Sequence, residues 1–323
     1  MTVSRVLRNA PHVTEATREK VMDAVERTGY RSNPMVQALM AAVRRKNVRV
    51  EANLAWISYP RTGDSRTEQL LEGARERARE LGFGFETLLL ETGAVPTERM
   101  DSILRARGVR GVILAPLPQT GVFPDFPWKN YSLATIGHSI QAPLISHTML
   151  DSQAGMETTL HRITERGYRR IAFLSSPGTE QRFRNLPLMV FRRYSLQQPP
   201  EARIEPIDTE LEGWSDRDLI GWLERARPDA ILATLPKHAR RVQALNLRAL
   251  DQVGYATLSW RENFPDITGL HHPMRALGAA ATEIVVAQIH RNERGIPARA
   301  KTMLIAGDWM EGATLPQKAA ALA

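Results

Sequence analysis

From Asn53 onward, short apolar runs alternate with longer stretches in which apolar residues recur every three or four positions. "NLAWISY" is a continuous run of the kind a strand shows when both its faces are covered. In "SRTEQLLEGARERARELG", Leu70, Leu71, Ala74, Ala78 and Leu81 share one helical side, and Gly82 supplies the stop. The same alternation predicts strands in "FGFETLLLE", "VRGVILAPL", "YSLATIG", "LISHTMLD", "YRRIAFLSS", "RIEPID", "PDAILATL", "DQVGYATLS" and "AKTMLIAGDW". Between them it predicts helices in "TERMDSILRARG", "SQAGMETTLHRITERG", "LPLMVFRRYSLQ", "SDRDLIGWLERA", "KHARRVQALNLRAL" and "PMRALGAAATEIVVAQIHRNE". Strands separated by helices of this length build parallel, doubly wound α/β sheets. About ten strands is many for one open sheet, so two lobes are expected.

The first fifty residues follow a different pattern. "TEATREKVMDAVERTGY" reads as a complete helix: Thr14 caps it, Glu15 and Glu19 favour its positive end, and Gly29 closes it. Thr17, Val21, Ala24, Val25 and Thr28 form its apolar stripe. "NPMVQALMAAVRRKN" is a second, shorter helix with Asn33 as N-cap and Pro34 at its first position. It has no neighbouring core, and short isolated helices are marginal in water, so it is expected to form against a partner. Ahead of both, Thr2 to Arg8 reads as the interior of a helix with no cap before it.

Charge follows the same division. Residues 1–50 hold ten Lys/Arg and four Asp/Glu, which is six of the chain's eight net positive charges. A compact basic segment on a nearly neutral body points to an anionic partner, nucleic acid first. The 323 residues are 43% hydrophobic and contain no cysteine, so a buried core is affordable and disulfide or thiolate chemistry is excluded. No apolar run reaches the roughly 18 residues of a membrane span, and no signal-peptide pattern opens the chain. A cytoplasmic protein is therefore expected. There is no GxGxxG after the first strand, no GxxxxGK[ST], no HExxH and no GxSxG. The adjacent His271 and His272 lack a carboxylate at ligand spacing. No enzyme, cofactor or metal site is expected.

In "TVSRVLRN", "VTEATREKV", "GYRSNP" and "ALM", at this spacing, the chain resembles the DNA-binding head and hinge of the LacI/GalR family of bacterial transcriptional regulators. The resemblance implies that Thr2, Ser4 and Arg5 lie on the recognition helix of a helix-turn-helix, with Arg5 nearest base edges and Thr2 and Ser4 nearest phosphates. It further implies that Asn33 opens a hinge helix whose Leu39 wedges into the minor groove. The family's head begins earlier, so this head is expected to be partial, cut by about twenty residues on the usual size of such motifs. A late start codon, a truncation and a real loss are the alternatives. "HRITERGYRRIAFLSSP" and "IHRNERGIPARAKTMLIAGDWMEGATLP" extend the resemblance through the body, which implies a two-lobed core similar to periplasmic binding proteins.

The expected organisation is a partial head at 1–32, a hinge and linker at 33–50, a first lobe at 51–151 plus 275–314, and a second lobe at 152–274. In open α/β lobes ligands bind beyond the carboxyl ends of the strands, and with two lobes that place is the cleft between them. Tyr59 to Arg66, Pro116 to Gln119, His138, Asp151, Ser175 to Arg182, Leu235 to His238 and Ser259 to Asp266 should face it. The resemblance implies effector-binding roles for Asp151 and for Arg182 or Arg184. Asp151 is equally a helix cap, and Trp260 is either a stacking platform for a sugar or plain lobe packing. Function follows from the resemblance: a DNA-binding regulator, most simply a repressor, acting as a homodimer on a roughly palindromic operator. Its effector is expected to be a carbohydrate or sugar acid. The alternative is a cytoplasmic small-molecule-binding protein that does not bind DNA.

Overall fold

A computed structural model describes residue 6 and residues 14–28, 52–59, 65–90 and 97–318. Near the start, helix α1 (Glu15–Thr28) begins where the Thr17 and Arg18 amides both donate to the Thr14 carbonyl, at 3.0 Å. Thr17, Val21, Ala24 and Val25 on its expected apolar stripe are half-buried, while Glu15, Glu19, Asp23 and Glu26 are exposed. The hinge segment from Asn33 lies outside the described residues.

The body forms two sheets. The first contains β1 (Asn53–Ser58), β2 (Gly84–Leu89), β3 (Val109–Leu114), β5 (Ser132–Ile136), β7 (His147–Leu150) and β12 (Thr302–Ile305), all parallel, in the order β12-β7-β5-β3-β1-β2. Its inner strands are covered on both faces, which is why they read as unbroken apolar runs. Leu54, Trp56, Ile113, Ala134 and Ile136 form one face, packed under α2 (Ser65–Glu80) and α9 (Met274–His290). Ala55, Ile57, Val112, Leu114 and Leu133 form the other, against α3 (Thr97–Ala106) and an aromatic group of Phe123, Phe126, Trp128 and Tyr131. Two short strands, β4 (Gly121–Val122) and β6 (Ile140–Ala142), pair beside it.

Helices α2 and α9 cross with their backbones in direct contact. A β-carbon on Gly73 would overlap the Arg275 carbonyl, and one on Gly278 would overlap the Leu70 carbonyl. The Thr282 hydroxyl donates to the Ala74 carbonyl at 3.1 Å across the same crossing.

The second sheet runs β13-β11-β10-β9-β8, built from β8 (Ile171–Leu174), β9 (Ala230–Ala233), β10 (Gly254–Thr257), β11 (Thr268–His271) and β13 (Asp308–Met310). It is parallel except for β13, which runs antiparallel to β11. Helices α7 (Asp216–Ala226) and α8 (Pro236–Ala244) cover the face carrying Leu174, Ile231 and Ala233. Helices α4 (Ser152–Glu165) and α6 (Leu186–Gln197) cover the face carrying Phe173, Leu232 and Ala256.

Several details differ from the sequence expectation, and the short strands β4 and β6 fall where no strand was expected. "RIEPID" contributes a single bridge, Ile207 to Leu174, instead of a strand. β11 falls in a segment with no expected strand. The last expected strand is two: β12 completes the first sheet and β13 the second. Residues 308–310, expected in the first lobe with the rest of 275–314, therefore belong to the second sheet.

The chain crosses between the sheets three times: at Asp151, at His272–Pro273, and at Ala306–Gly307. The crossings lie side by side. The Asp151 amide donates to the Ile305 carbonyl at 2.9 Å, and a β-carbon on Gly307 would sit 2.8 Å from the His271 carbonyl oxygen.

Candidate functional site

The carboxyl ends of both parallel sheets face a cleft between the lobes, where open α/β folds bind ligands. Its main cavity, about 520 Å³, takes Arg66, Thr67 and Leu70 from α2, the Ile136–Ser139 turn after β5, and Met274 and Leu277 from α9. Across from them stand Thr179, Arg182 and Phe183, Leu235 after β9, and Arg261 after β10. Thr179 and Arg182 belong to α5 (Pro177–Arg182). A smaller hollow beneath, at the crossings, is lined by Leu150, Asp151, His272 and Gly307 together with Arg66 and Ser259.

Hydrogen bonds from two arginines reach across the cleft. Arg66 Nη2 donates to His272 Nδ1 at 2.8 Å. Because a guanidinium has no acceptor, that nitrogen carries no proton. Arg182 Nη2 donates to the Pro118 carbonyl at 2.5 Å. Burial holds the His272 imidazole neutral, well below the ordinary histidine range, and the nearby Arg66 and Arg261 cations push the same way. His138 is also neutral: burial, His147 and Arg184 lower its pKa to about 4. The His138 and His147 rings stand 4.7 Å apart in a T-shaped pair.

The second lobe's arm is braced from within. Glu180 is buried, and its carboxylate accepts from the Leu188 amide at 3.2 Å and the Thr234 hydroxyl at 3.3 Å. Burial raises its pKa, with Leu188, Ser175 and Thr234 opposing. It ties α5 to α6 around an elbow in which Arg184 and Asn185 take φ of 56° and 58°. A left-handed pair of this kind turns the chain sharply and costs backbone energy.

Of the residues expected to bind an effector, Arg66 and Arg182 line the main cavity. Asp151 lines the hollow at the crossings, and its Oδ1 accepts from the Ala154 amide at 2.9 Å, so it does cap α4. Arg184 lies instead in an adjoining cavity with His147 and Gln181, which shares His138, Met149 and Leu150 with the main cavity and Asp151 with the hollow. Tyr59 packs against Phe123, with ring centroids 6.4 Å apart, among the outer core of the first lobe. Trp260 turns behind the wall formed by Ser259 and Arg261, its ring 5.7 Å from His271. Thr2, Ser4, Arg5, Asn33 and Leu39 lie outside the described residues.

Arg261 and His272 are functional candidates that sequence reasoning passed over. Arg261 sits inside a loop expected to face the cleft, but nothing in the sequence singles it out. His272 became informative only when its partner, 206 residues away in sequence, was placed beside it. Among the described residues, no group of three or more His, Asp or Glu is arranged to hold a metal ion, and no helix is long and apolar enough to cross a membrane.

This architecture and cleft define the class: a two-lobed core of the periplasmic-binding-protein type. The family model for periplasmic binding protein-like domains matches residues 160–314, and the model for bacterial regulatory proteins of the lacI family matches residues 1–33. With these two modules in this order, the chain resembles the regulators of the LacI family in both its head and its core. It is 27% identical over 186 residues to the HTH-type transcriptional regulator TreR of Salmonella typhimurium, covering 55% of this chain and 53% of TreR. It is 28% identical over 184 residues to CelR of Thermobifida fusca, covering 54% and 52%. The chain thus spans about half the length of these two curated relatives. To DegA of Bacillus subtilis it is 26% identical over 306 residues, covering 86% and 84%. Among solved structures, the lac repressor dimer bound to operator and the anti-inducer ONPF superposes with a TM-score of 0.58 at 20% identity, covering 98% of this chain and 94% of that one. A CelR–cellobiose complex gives 0.53 at 17%, covering 96% and 94%. At these identities the superpositions speak for the fold.

Proposed function

We propose that this chain is a DNA-binding transcriptional regulator, a repressor, whose grip on operator DNA is set by a small molecule held between the lobes. The observation that carries this reading is the pairing of a LacI-type head at residues 1–33 with a cleft whose two walls already touch through Arg66 and His272. A ligand that favours one spacing of the lobes shifts the population toward it, and that shift is felt at the DNA as a coupling free energy. The chain acts as a binding switch in the cytoplasm and not as an enzyme. Two copies place two heads on a roughly palindromic operator, with Arg5 at base edges, Thr2 and Ser4 at phosphates, and the Asn33–Leu39 segment at the minor groove.

In this reading the first lobe comprises the first sheet with α9, and the second lobe comprises residues from Asp151 to His272 together with β13. Arg66, Asp151 and Arg182 serve the effector, as do Arg261 and His272. The effector class expected from the sequence is a carbohydrate or sugar acid, and one of the solved structures similar to this chain is a CelR–cellobiose complex. The test is selection of DNA from a random pool by the full chain at physiological salt, followed by competition of the selected duplex with a metabolite panel. A palindromic sequence whose binding changes with one metabolite supports the proposal. A chain that binds a metabolite and selects no DNA would instead be a stand-alone small-molecule-binding protein.

A further inference from the structure

We propose that the open edge of β12 is a docking site for another protein, whose extended acidic segment adds a seventh strand to the first sheet. β12 ends that six-stranded sheet, and among the described residues only β7 pairs with it. The Lys301 and Ile305 carbonyls turn toward β7, where they accept from the His147 and Asp151 amides at 2.9 Å. Main-chain groups alternate sides along a strand, so the N–H and C=O of Thr302 and Leu304 face outward. Such a row of donors and acceptors is a template for a further strand. The side chains agree. β7 is buried throughout, whereas Thr302, Met303 and Leu304 are all exposed. Leu304 is 53% exposed and Leu144 63%, and the two line one cavity beside the edge.

The two faces of the edge differ, and the difference defines the occupant. Side chains alternate along a strand, so Met303 stands on the α9 side and Leu304 on the other. The α9 side is a groove of about 960 Å³, floored by Ile284 and Met303 and rimmed by Arg291, Arg294, Arg299 and Lys301. Two carboxylates also line it, and both are taken. Glu283 accepts from Arg77 at 2.7 Å. Glu293 accepts from Arg291 at 2.7 Å, and Arg291 and Lys301 hold its pKa low. Arg294 and Arg299 form no ion pair among the described residues. An added strand therefore meets cations on one face and leucines on the other. Its match alternates with period two: aspartate or glutamate toward the groove, apolar residues over Leu144 and Leu304. Charge decides against a second copy, whose own edge carries the same cations.

The experiment uses the full chain and end-blocked octapeptides at fixed ionic strength. One peptide alternates valine and glutamate, a second alternates valine and lysine, and a third interrupts the valine–glutamate sequence with a central proline. Fluorescence anisotropy reads binding, and hydrogen exchange reads the place. The acidic peptide should bind at least about tenfold more tightly than the lysine peptide. It should slow exchange of the Thr302 and Leu304 amides, and the central proline should abolish its binding. Leu304→Pro removes an outward N–H and keeps the bonds to β7, a place where an edge strand tolerates proline. It should abolish binding with little change in melting temperature. Should Leu304→Pro fold poorly, Arg294→Glu combined with Arg299→Glu tests the same claim at two exposed positions: the acidic peptide should weaken at least about tenfold. No binding of the acidic peptide at millimolar concentration, equal binding of the lysine peptide, or acidic binding that neither variant moves would each overturn the proposal. Self-association of the chain that Leu304→Pro removes would overturn it too, by showing that a second copy covers the edge.

Discussion

The two lobes bring the same chemical group to the cleft on supports of opposite character. Arg66 stands in the first turn of a sixteen-residue helix, α2, whose backbone is pressed against α9 at Gly73 and Gly278. Arg182 ends α5, a six-residue helix that leads into a left-handed elbow and is tethered by one buried carboxylate. One arginine is mounted on a slab and the other on a bracket. Stability within a protein is not uniform, and here the contrast places the adjustable element on the second lobe and the fixed reference on the first.

The harshest way to break this contrast is to force the slab apart. Gly278→Val puts side-chain atoms where the Leu70 carbonyl stands, and overpacking of a well-packed contact costs about 1–3 kcal/mol, occasionally more. We expect the top of that range or beyond by urea denaturation, with lost hydrogen-exchange protection in α2 and α9. An unchanged midpoint would mean that the helices separate easily and the first lobe is no fixed reference.

Glu180→Ala should come next. It strands the Leu188 amide and the Thr234 hydroxyl, and buried unsatisfied groups cost about 1–3 kcal/mol. Exchange should rise in α5 and α6 and not in α2. The pH dependence sharpens this. Because burial raises the folded-state pKa of Glu180, the folded state binds its proton more tightly than the unfolded chain. Its contribution to stability is fullest below the unfolded carboxylate pKa and is lost as pH rises through the raised folded value. Glu180→Gln, which keeps an acceptor and cannot ionise, should flatten that part of the stability–pH curve.

A smaller loss, about 1 kcal/mol, is expected for Asp151→Ala from the missing helix cap, and it should fall on α4. Near neutral pH the smallest effect belongs to His138, whose contribution appears only on acidification. Its folded pKa of about 4 lies below the ordinary 6.5, so stability should decline as pH falls from the ordinary histidine range toward about 4. His138→Gln should remove that decline, read as melting temperature against pH.

Much of the architecture was legible because inner parallel strands are apolar runs and covering helices carry a stripe. What escaped was short or divided. "TGLH" contains a glycine and two polar residues, yet Thr268, Gly269 and Leu270 are buried because β10 and β13 flank them. "KTMLIAGDW" is one run in the sequence and two strands in space, split where Gly307 passes close to the His271 carbonyl. The site was legible only as far as position along the chain defines it. Asp151 follows a strand and precedes a helix, and both facts are local. Arg182 and Arg184 look interchangeable in sequence, but the left-handed elbow sends one to the cleft and the other to a different cavity. The Arg66–His272 bond spans 206 positions, and nothing local to either residue announces it.

The three crossings also set the mechanics of any lobe movement. One connecting strand would act as a swivel, free to turn about its own length. Three strands abreast, two of them stitched by the bond from the Asp151 amide to the Ile305 carbonyl, act as a flat flexure. Such a flexure yields to bending across its width and resists both twist and sideways shear. The lobes therefore have one soft coordinate, opening and closing, and work done by a ligand in the cleft is delivered along it instead of being dissipated in rotation.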